Sequence, residues 1–211
     1  LNTDADVYAT DIQYDGTRTH FTAVRRYLGN SLKVTLNMPG RHNVLNALAA
    51  IIIATEVGVA DEAILKSLAQ FQGVGRRFQL LGQLQTRNGA VLMIDDYGHH
   101  PRELAVTIEA IRNAWPTRRL VMVYQPHRYT RTHDLFDEFA QVLSGVDVLL
   151  MLDVYSAGES PIAGADSANL CRNIRKRGKV DPVYIGKIDD ITLDFDNMLI
   201  EGDILIFQGA G

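Results

Sequence analysis

From residue 91 onward the chain repeats one pattern: a short apolar run, a loop crowded with polar and charged side chains, then a stretch with helical spacing. The runs are Val91-Leu92-Met93-Ile94, Leu120-Val121-Met122-Val123, Val148-Leu149-Leu150-Met151, Val183-Tyr184-Ile185 and Ile204-Leu205-Ile206-Phe207. They lack the in-out alternation of a strand wetted on one side, so they read as strands buried on both faces, the mark of a mainly parallel sheet. The spacing predicts a helix from Pro101 carrying Leu104, Ile108, Ile111 and Trp115 and ending before Pro116. A second carries Leu135, Phe139, Val142 and Leu143, a third runs from an Asp166/Ser167 cap to Gly178, and a fourth covers about Ile188 to Leu199. The expected fold class is α/β: a Rossmann-like, mainly parallel sheet with helices on both faces.

The pattern ahead of residue 78 differs. Val7 to Gln13, His20 to Arg26 and Leu32 to Leu36 read as strands separated by turns at Asp15-Gly16 and Gly29-Asn30. A helix from about Asn43 to Val57 is apolar nearly all round and is expected to be buried. Asp61 is expected to cap a shorter helix bearing Ile64, Leu65, Leu68 and Phe71. Gly73-Val74-Gly75-Arg76-Arg77 interrupts the periodicity, which suggests domains at 1–76 and 77–211.

Charge and composition exclude several classes. The formal net charge is -4 and the basic residues are dispersed except for Arg175, Lys176 and Arg177, a run that suits the last turn of a helix before Gly178. Nucleic acid is therefore not an expected partner. No apolar run approaches the ~20 residues that span a bilayer, so no membrane partner is expected either. The lone Cys171 cannot form an internal disulfide, which suits a reducing compartment such as the cytoplasm. The start at Leu1 and the stop at Gly211 just after a strand-like run suggest a fragment. Nothing in the sequence bears on oligomeric state.

In parallel sheets ligands bind beyond the carboxyl ends of the strands. Three of the loops there are Asp95-Asp96-Tyr97-Gly98-His99-His100-Pro101, Gln125-Pro126-His127-Arg128-Tyr129-Thr130-Arg131-Thr132 and Asp153-Val154-Tyr155-Ser156-Ala157-Gly158-Glu159. The opposite strand ends carry little beyond Arg118, Arg119 and Asp147. Asp95 is able to accept from ribose hydroxyls, and the N–H groups opening the Pro101 helix are expected to face an anion at the rim. Arg128 and Arg131 carry planar forks suited to a carboxylate or phosphate. His99, His100 and His127 can donate hydrogen bonds or gain charge near neutrality. Each residue also has an ordinary reading: Asp95 and the histidines as turn or cap residues, and the two arginines as solvated or paired with Asp134 or Asp137. Upstream, Asn43 reads as an N-cap or, with Asn46, as an amide able to read a purine edge.

Gly40-Arg41-His42-Asn43-Val44-Leu45-Asn46-Ala47, Gly75-Arg76-Arg77-Phe78 and the first two strand-end loops together resemble the Mur ligase family, most closely its members that add L-alanine. Asp153 to Glu159 and the terminal Gln208-Gly209-Ala210-Gly211 fit the same members. The resemblance runs along nearly the whole chain. It implies that residues 1–76 are the C-terminal part of a central α/β ATPase domain and that 77–211 are a Rossmann-like domain admitting the amino acid. It further implies that Asn43 and Asn46 contact adenine with His42 beside them, that Arg77 and Tyr97 lie by the nucleotide, and that Asp95 holds the ribose. Tyr97, His99, His127, Arg128 and Arg131 would face the amino acid and reacting phosphate, with Asp153 and Glu159 nearby. Of these, His99, His127, Arg128 and Arg131 are the expected catalytic residues, the two arginines clamping the alanine carboxylate and His127 helping to neutralise charge.

The implied activity uses ATP and magnesium to join L-alanine to UDP-N-acetylmuramate through an acyl phosphate, in cytoplasmic peptidoglycan synthesis and hence in cell-wall growth, shape and division. One departure is large: Gly-x-x-x-x-Gly-Lys-Ser/Thr occurs nowhere, since Gly178-Lys179 is followed by Val180 and Gly186-Lys187 by Ile188. The phosphate cradle and most magnesium ligands would then lie outside these residues, and the chain alone is expected to be inactive. A lesser departure is Arg102, where a smaller residue is expected. Two other enzymatic readings are a relative that attaches a murein peptide, and a metal-dependent hydrolase using Asp95, Asp96, His99, His100, His127 and Asp153. Arg128 and Arg131 would set positive charge beside the cation in the latter.

Overall fold

A computed structural model of the chain describes residues 3–191 and 197–210. It divides into two compact units, Leu1–Gly73 with Glu109–Pro116, and Val74–Ile108 with Thr117–Gly211.

The first unit holds a three-stranded antiparallel sheet of β1 (Val7–Asp15), β2 (Arg18–Arg25) and β3 (Asn30–Leu36), in that order. α1 (Arg41–Glu56) and α2 (Asp61–Gln70) follow. Ala9, Phe21, Ala23, Leu32, Val34 and Leu36 of the sheet form one core with Val44, Ala47, Leu48 and Ile51 of α1 and Ile64 of α2. The α1 positions fall at i, i+3, i+4 and i+7, a single helical stripe. This corrects the expectation of a helix buried all round, because Leu45, Ile53 and Val57 are exposed. The sheet has one inner face, and that face covers one side of the helix.

Asp61 is likewise not a cap. It occupies the first helical position behind Ala60, which makes no side-chain cap. Its carboxylate instead receives Arg25 Nη1 and Nη2 at 2.7 and 2.6 Å. Arg25 is buried, and a buried guanidinium needs a full set of acceptors. Asn30 and Thr55 supply the others, at 3.0 and 3.1 Å.

The second unit is built on a six-stranded sheet in the order β4-β5-β9-β6-β7-β8. Its strands are β4 (Gln79–Thr86), β5 (Gly89–Asp96), β6 (Leu120–Tyr124), β7 (Val148–Leu152), β8 (Val183–Gly186) and β9 (Ile204–Gln208). β5, β9, β6, β7 and β8 run parallel, and β4 pairs antiparallel with β5. The five apolar runs thus become the parallel strands, and the mixed, mostly parallel sheet is flanked by helices as expected; burial on both faces is corrected for the outermost of them, β8, where Val183 and Tyr184 are exposed. β4 has no counterpart in the sequence reading, for it exposes every residue from Gln79 to Gln85 and shows no alternation.

α3 (Pro101–Ala114), α4 (Tyr129–Asp134), α5 (Phe136–Leu143) and α6 (Ser167–Lys176) connect the strands. The single expected helix through Leu135 is two, because Leu135 leaves helical geometry at φ -117° and ψ 27°. α6 opens as expected, with Asp166 accepting from the Asn169 N–H at 2.7 Å. Of the fourth expected helix, Ile188–Asp190 forms a 3-10 turn, and residues 192–196 lie outside the described set.

Candidate active site

Because β5, β9, β6 and β7 are parallel, their carboxyl ends lie along one edge of the second unit. The loops beginning at Asp95, Gln125 and Asp153 leave from that edge.

The adjacent Asp95 and Asp96 divide by strand alternation, which sends neighbouring side chains to opposite faces. Asp96 is buried and accepts from the Phe78 N–H at 2.8 Å, the Gly98 N–H at 2.9 Å, the Thr107 hydroxyl at 3.3 Å and the Gln208 amide at 2.5 Å. It is a structural knot joining the ends of β5 and β9 to α3. Gly98 belongs to the knot, since a Cβ there would fall 2.5 Å from Gln208 Nε2 and 2.6 Å from Asp96 Oδ1. Asp95 is partly exposed and receives Arg76 Nε at 3.3 Å. The same guanidinium lies 5.2 Å from the centre of the Tyr97 ring and donates to the Gly209 carbonyl at 3.0 Å.

The N–H groups of His99 and His100, just ahead of α3, donate to Glu103 at 2.9 and 3.0 Å. This resembles half of a capping box, in which a carboxylate on the third helical residue reaches back to the chain before the helix. Burial works to raise the Glu103 pKa, but the two N–H donors and nearby cations outweigh it and hold the carboxyl below its ordinary range. The expected external anion at these donors is thereby corrected: the chain's own carboxylate holds them.

Along the edge the aromatic rings meet in sequence. Tyr97 and His99 centroids are 5.4 Å apart edge to face, His99 and His127 are 5.5 Å apart, and His127 stacks on Tyr155 at 5.4 Å with 18° between planes. The two loops are joined below the last pair, with Arg128 N–H donating to Tyr155 O and Tyr155 N–H to Pro126 O, both at 2.8 Å.

Arg131 Nη1 lies 3.1 Å from His127 Nδ1 and donates to His127 O at 3.0 Å. A guanidinium can only donate, so Nδ1 is the acceptor and the neutral imidazole carries its proton on Nε2. Burial first, then Arg131, His99 and Arg128, push the His127 pKa below the usual histidine value, against a weaker upward pull from Glu159. The expected charge-neutralising histidine is therefore held neutral here. Neither arginine pairs with Asp134 or Asp137, which meet His133 and Arg177.

Arg128 takes a left-handed backbone, φ 73°, immediately before α4, and such a conformation costs a non-glycine residue roughly 1–3 kcal/mol. The Thr132 hydroxyl and the Tyr155 carbonyl hold it there. Glu159 accepts from the Thr130 N–H at 3.0 Å and hydroxyl at 2.8 Å, and lies 3.9 Å from Arg128. Those backbone and hydroxyl donors, with Arg128, outweigh a modest desolvation and lower its pKa.

Tyr97, His99, His127, Arg128, Arg131 and Glu159 thus gather along one edge, with Asp95 at the end of its first strand. Asp153 is engaged elsewhere, accepting from the Tyr184 hydroxyl on β8. His100 Nδ1 accepts from the Arg102 N–H, and Arg77 is exposed beside Phe78. His42, Asn43 and Asn46 lie in the first unit, on the first turns of α1. Gly40 is the residue before α1, at φ 97°, so Asn43 is not its N-cap. The buried Asn43 amide donates to Pro39 O at 2.7 Å and its oxygen lies 3.5 Å from Asn46 Nδ2, leaving Asn46 as the exposed member. The imidazole of His42 fills the space over Gly40 that a Cβ would take. Sequence reasoning missed Arg76, Tyr155 and Gln208 as constituents of the edge. Arg76 and Tyr155 stand inside quoted motifs, and only their geometry singles them out.

Among the described residues no group of three or more His, Cys, Asp or Glu side chains is arranged to hold a metal. Asp96 is tied to Phe78, Thr107 and Gln208 and Asp153 to Tyr184, so the ligand set of the hydrolase reading does not assemble. No described helix is long and apolar enough to cross a membrane.

The fold has close solved counterparts. The UDP-N-acetylmuramate–alanine ligase MurC of Thermotoga maritima superposes with a TM-score of 0.77 at 22% identity, over 98% of this chain and 43% of that one. A murein peptide ligase of Psychrobacter arcticus 273-4 gives 0.61 at 24%, over 100% and 42%. MurF of Thermotoga maritima, solved in complex with ADP, gives 0.67 at 17%, over 97% and 43%. At such identities these likenesses establish the fold, and this chain spans less than half of each relative. Sequence families are more specific: the Mur ligase middle domain matches residues 1–54, and the Mur ligase, glutamate ligase domain matches residues 76–211. With that second match covering well over half of its length, the chain belongs to the Mur ligase family.

Proposed function

We propose that the chain is the middle-to-C-terminal part, residues 1–76 and 77–211, of an ATP-dependent ligase that joins L-alanine to UDP-N-acetylmuramate in peptidoglycan precursor synthesis. The observation carrying this reading is the Arg131 guanidinium at the strand-end edge, held by a neutral imidazole and a carbonyl and by no carboxylate among the described residues. A cation so held keeps its charge available for an anionic ligand.

Each unit by itself carries groups suited to a part of a nucleotide. In the second, Asp95 and Arg76 suit a polyhydroxyl group near the Tyr97 ring; in the first, the exposed Asn46, beside His42 and the anchored Asn43, suits a purine edge. Arg77 is placed by the nucleotide through its motif alone. The triphosphate and magnesium do not fit these residues: the glycine-lysine cradle is absent from the sequence and no metal-holding group is formed among the described side chains. Bound ATP would supply the phosphoryl group that activates the muramate carboxylate.

The hydrogen bonds of the chain's own residues support these roles. Arg131 and Arg128 bind the amino-acid carboxylate, with Tyr97 and His99 lining the approach. His127, neutral and with Nδ1 occupied, offers Nε2–H as a donor to negative charge developing at the reacting carbonyl. Glu159 holds the α4 end in place, and Asp153 fixes the neighbouring β7–β8 end through Tyr184.

The 211-residue chain alone should be inactive. A chimera carrying it in place of the corresponding part of the Thermotoga maritima alanine ligase tests the reading. ADP release dependent on L-alanine is expected, and Arg131→Ala should raise the alanine KM by about tenfold or more, the scale of one charge-assisted hydrogen bond. Release that responds only to a murein tripeptide would favour the peptide-attaching alternative, for which the Psychrobacter arcticus likeness speaks. No response to either would defeat both.

A further inference from the structure

The ring of Tyr155 lies outside every role given above, yet it is stacked on the one imidazole whose protonation the edge controls. We propose that Tyr155 is a positioning residue for His127, fixing the imidazole plane so that Nδ1 stays on Arg131 and Nε2–H faces the ligand.

Three constraints act on His127, and each comes from a different loop. Arg131 lies at 3.1 Å from Nδ1, which fixes one ring atom. A single hydrogen bond leaves rotation of the ring about that contact open. His99, tilted by 48° at 5.5 Å, touches one side. Tyr155, stacked nearly parallel to the imidazole at 5.4 Å and 18°, supplies the flat wall against which the ring lies. Offset stacking at this separation is favourable, by roughly 0.5–1.5 kcal/mol for aromatic pairs. The two backbone bonds between Tyr155 and the Pro126–Arg128 segment, with the parallel bridge of His127 to Tyr155, set the loops in register. The stack therefore rests on a fixed backbone.

The ring also serves as a shield. Desolvation is the main force lowering the His127 pKa, ahead of Arg131, His99 and Arg128, while Glu159 acts in the other direction. Tyr155 covers one face of the imidazole and is itself half exposed. Removing it would admit water to that face. Protonation of Nδ1 would then become easier, and a protonated Nδ1 cannot accept from Arg131. Tyr155 in this way preserves both the orientation and the neutral state on which the proposed ligand contact depends.

The inference deepens the ligase reading, but its test is separate from it. The histidine titrations and the arginine side-chain protons of the 211-residue chain are followed by NMR, for the wild type, Tyr155→Phe and Tyr155→Ala. Tyr155→Phe should retain the depressed His127 titration and the slow exchange of the Arg131 guanidinium protons. Tyr155→Ala should return the titration toward the ordinary value of about 6.5 and speed the exchange at least severalfold, with the signal of His133, on α4 of the same unit, unchanged as a control for folding. An unchanged His127 in Tyr155→Ala, or a Phe variant as impaired as the Ala variant, would overturn the proposal. L-alanine added to the chimera addresses the other question. His127 behaving as described without response to alanine would defeat the ligase reading and leave the Tyr155 role standing.

Discussion

The two edges of the six-stranded sheet treat cations in opposite ways. At the amino-terminal edge Arg119 meets the buried Asp203 carboxylate at 2.8 and 3.1 Å, Arg118 is satisfied by the carbonyls of Gly202 and Asp203, and Asp147 accepts from the Leu120 N–H at 2.7 Å. Of these, Arg119 is closed on a buried carboxylate. At the carboxyl edge Arg131 is held by a neutral imidazole and a carbonyl, and Arg128 lies 3.9 Å from Glu159 while remaining exposed. Both arrangements use arginine, so residue type does not separate a scaffold from a site. The partner does: a carboxylate consumes the cation's field, whereas a neutral acceptor orients the side chain and leaves the field for a ligand.

This contrast can be broken most forcefully at the amino-terminal edge. Asp203→Ala would strand Arg119 and free the Ile200 N–H that Asp203 also receives, at a cost of about 3–5 kcal/mol in urea unfolding. A loss under 1 kcal/mol would mean that the edge is not closed in the way described. Gly98→Ala probes the Asp96 knot under the carboxyl edge, where the added methyl would press on Gln208 and Asp96. It should cost about 1–3 kcal/mol and shift the His99 and His127 NMR signals together. Arg131→Ala should change stability by no more than roughly 0.5 kcal/mol while raising the alanine KM of the chimera by about tenfold or more, and a stability loss like that of Asp203→Ala would place Arg131 with the scaffold.

The smallest effect concerns pH. His127 has a lower pKa folded than unfolded, so the unfolded chain takes up its proton first as pH falls through about 6.5. His127 therefore adds a component of stability that is fully kept above that value and lost below it, down to the folded pKa. His127→Asn should flatten the fall in urea midpoint between pH 7 and 5.5. A steeper fall in the variant would contradict the sign.

Most of the sheet was legible because burial on both faces leaves a signature in each strand separately. β4 was not, since a border strand with exposed leucines at 80, 81 and 84 carries no periodic signal of its own and is defined by pairing with β5. The loops at the carboxyl edge were legible as a concentration of polar residues after apolar runs. Their internal order was not. Asp95 and Asp96 look alike in sequence, and only strand alternation leaves one partly exposed beside Arg76 and makes the other a buried acceptor. Arg76 and Arg77 pose the same problem, with φ 57° at Arg76 turning that side chain to Asp95. The all-round apolar pattern of α1 reported hydrophobicity faithfully and misreported burial, because spacing cannot say how many surfaces a helix has to lean on.

The irregularity between Leu80 and Gly82 has a consequence for how the molecule behaves in concentrated solution. β4 is an outermost strand, and unpaired backbone groups along such a margin invite another chain to zip on. The extra residue, Leu81, bends that margin, and Gly82 at φ 102° takes up the turn. Deleting Leu81 is expected to straighten the border into a better template for self-association, so that a kink one residue long guards this margin.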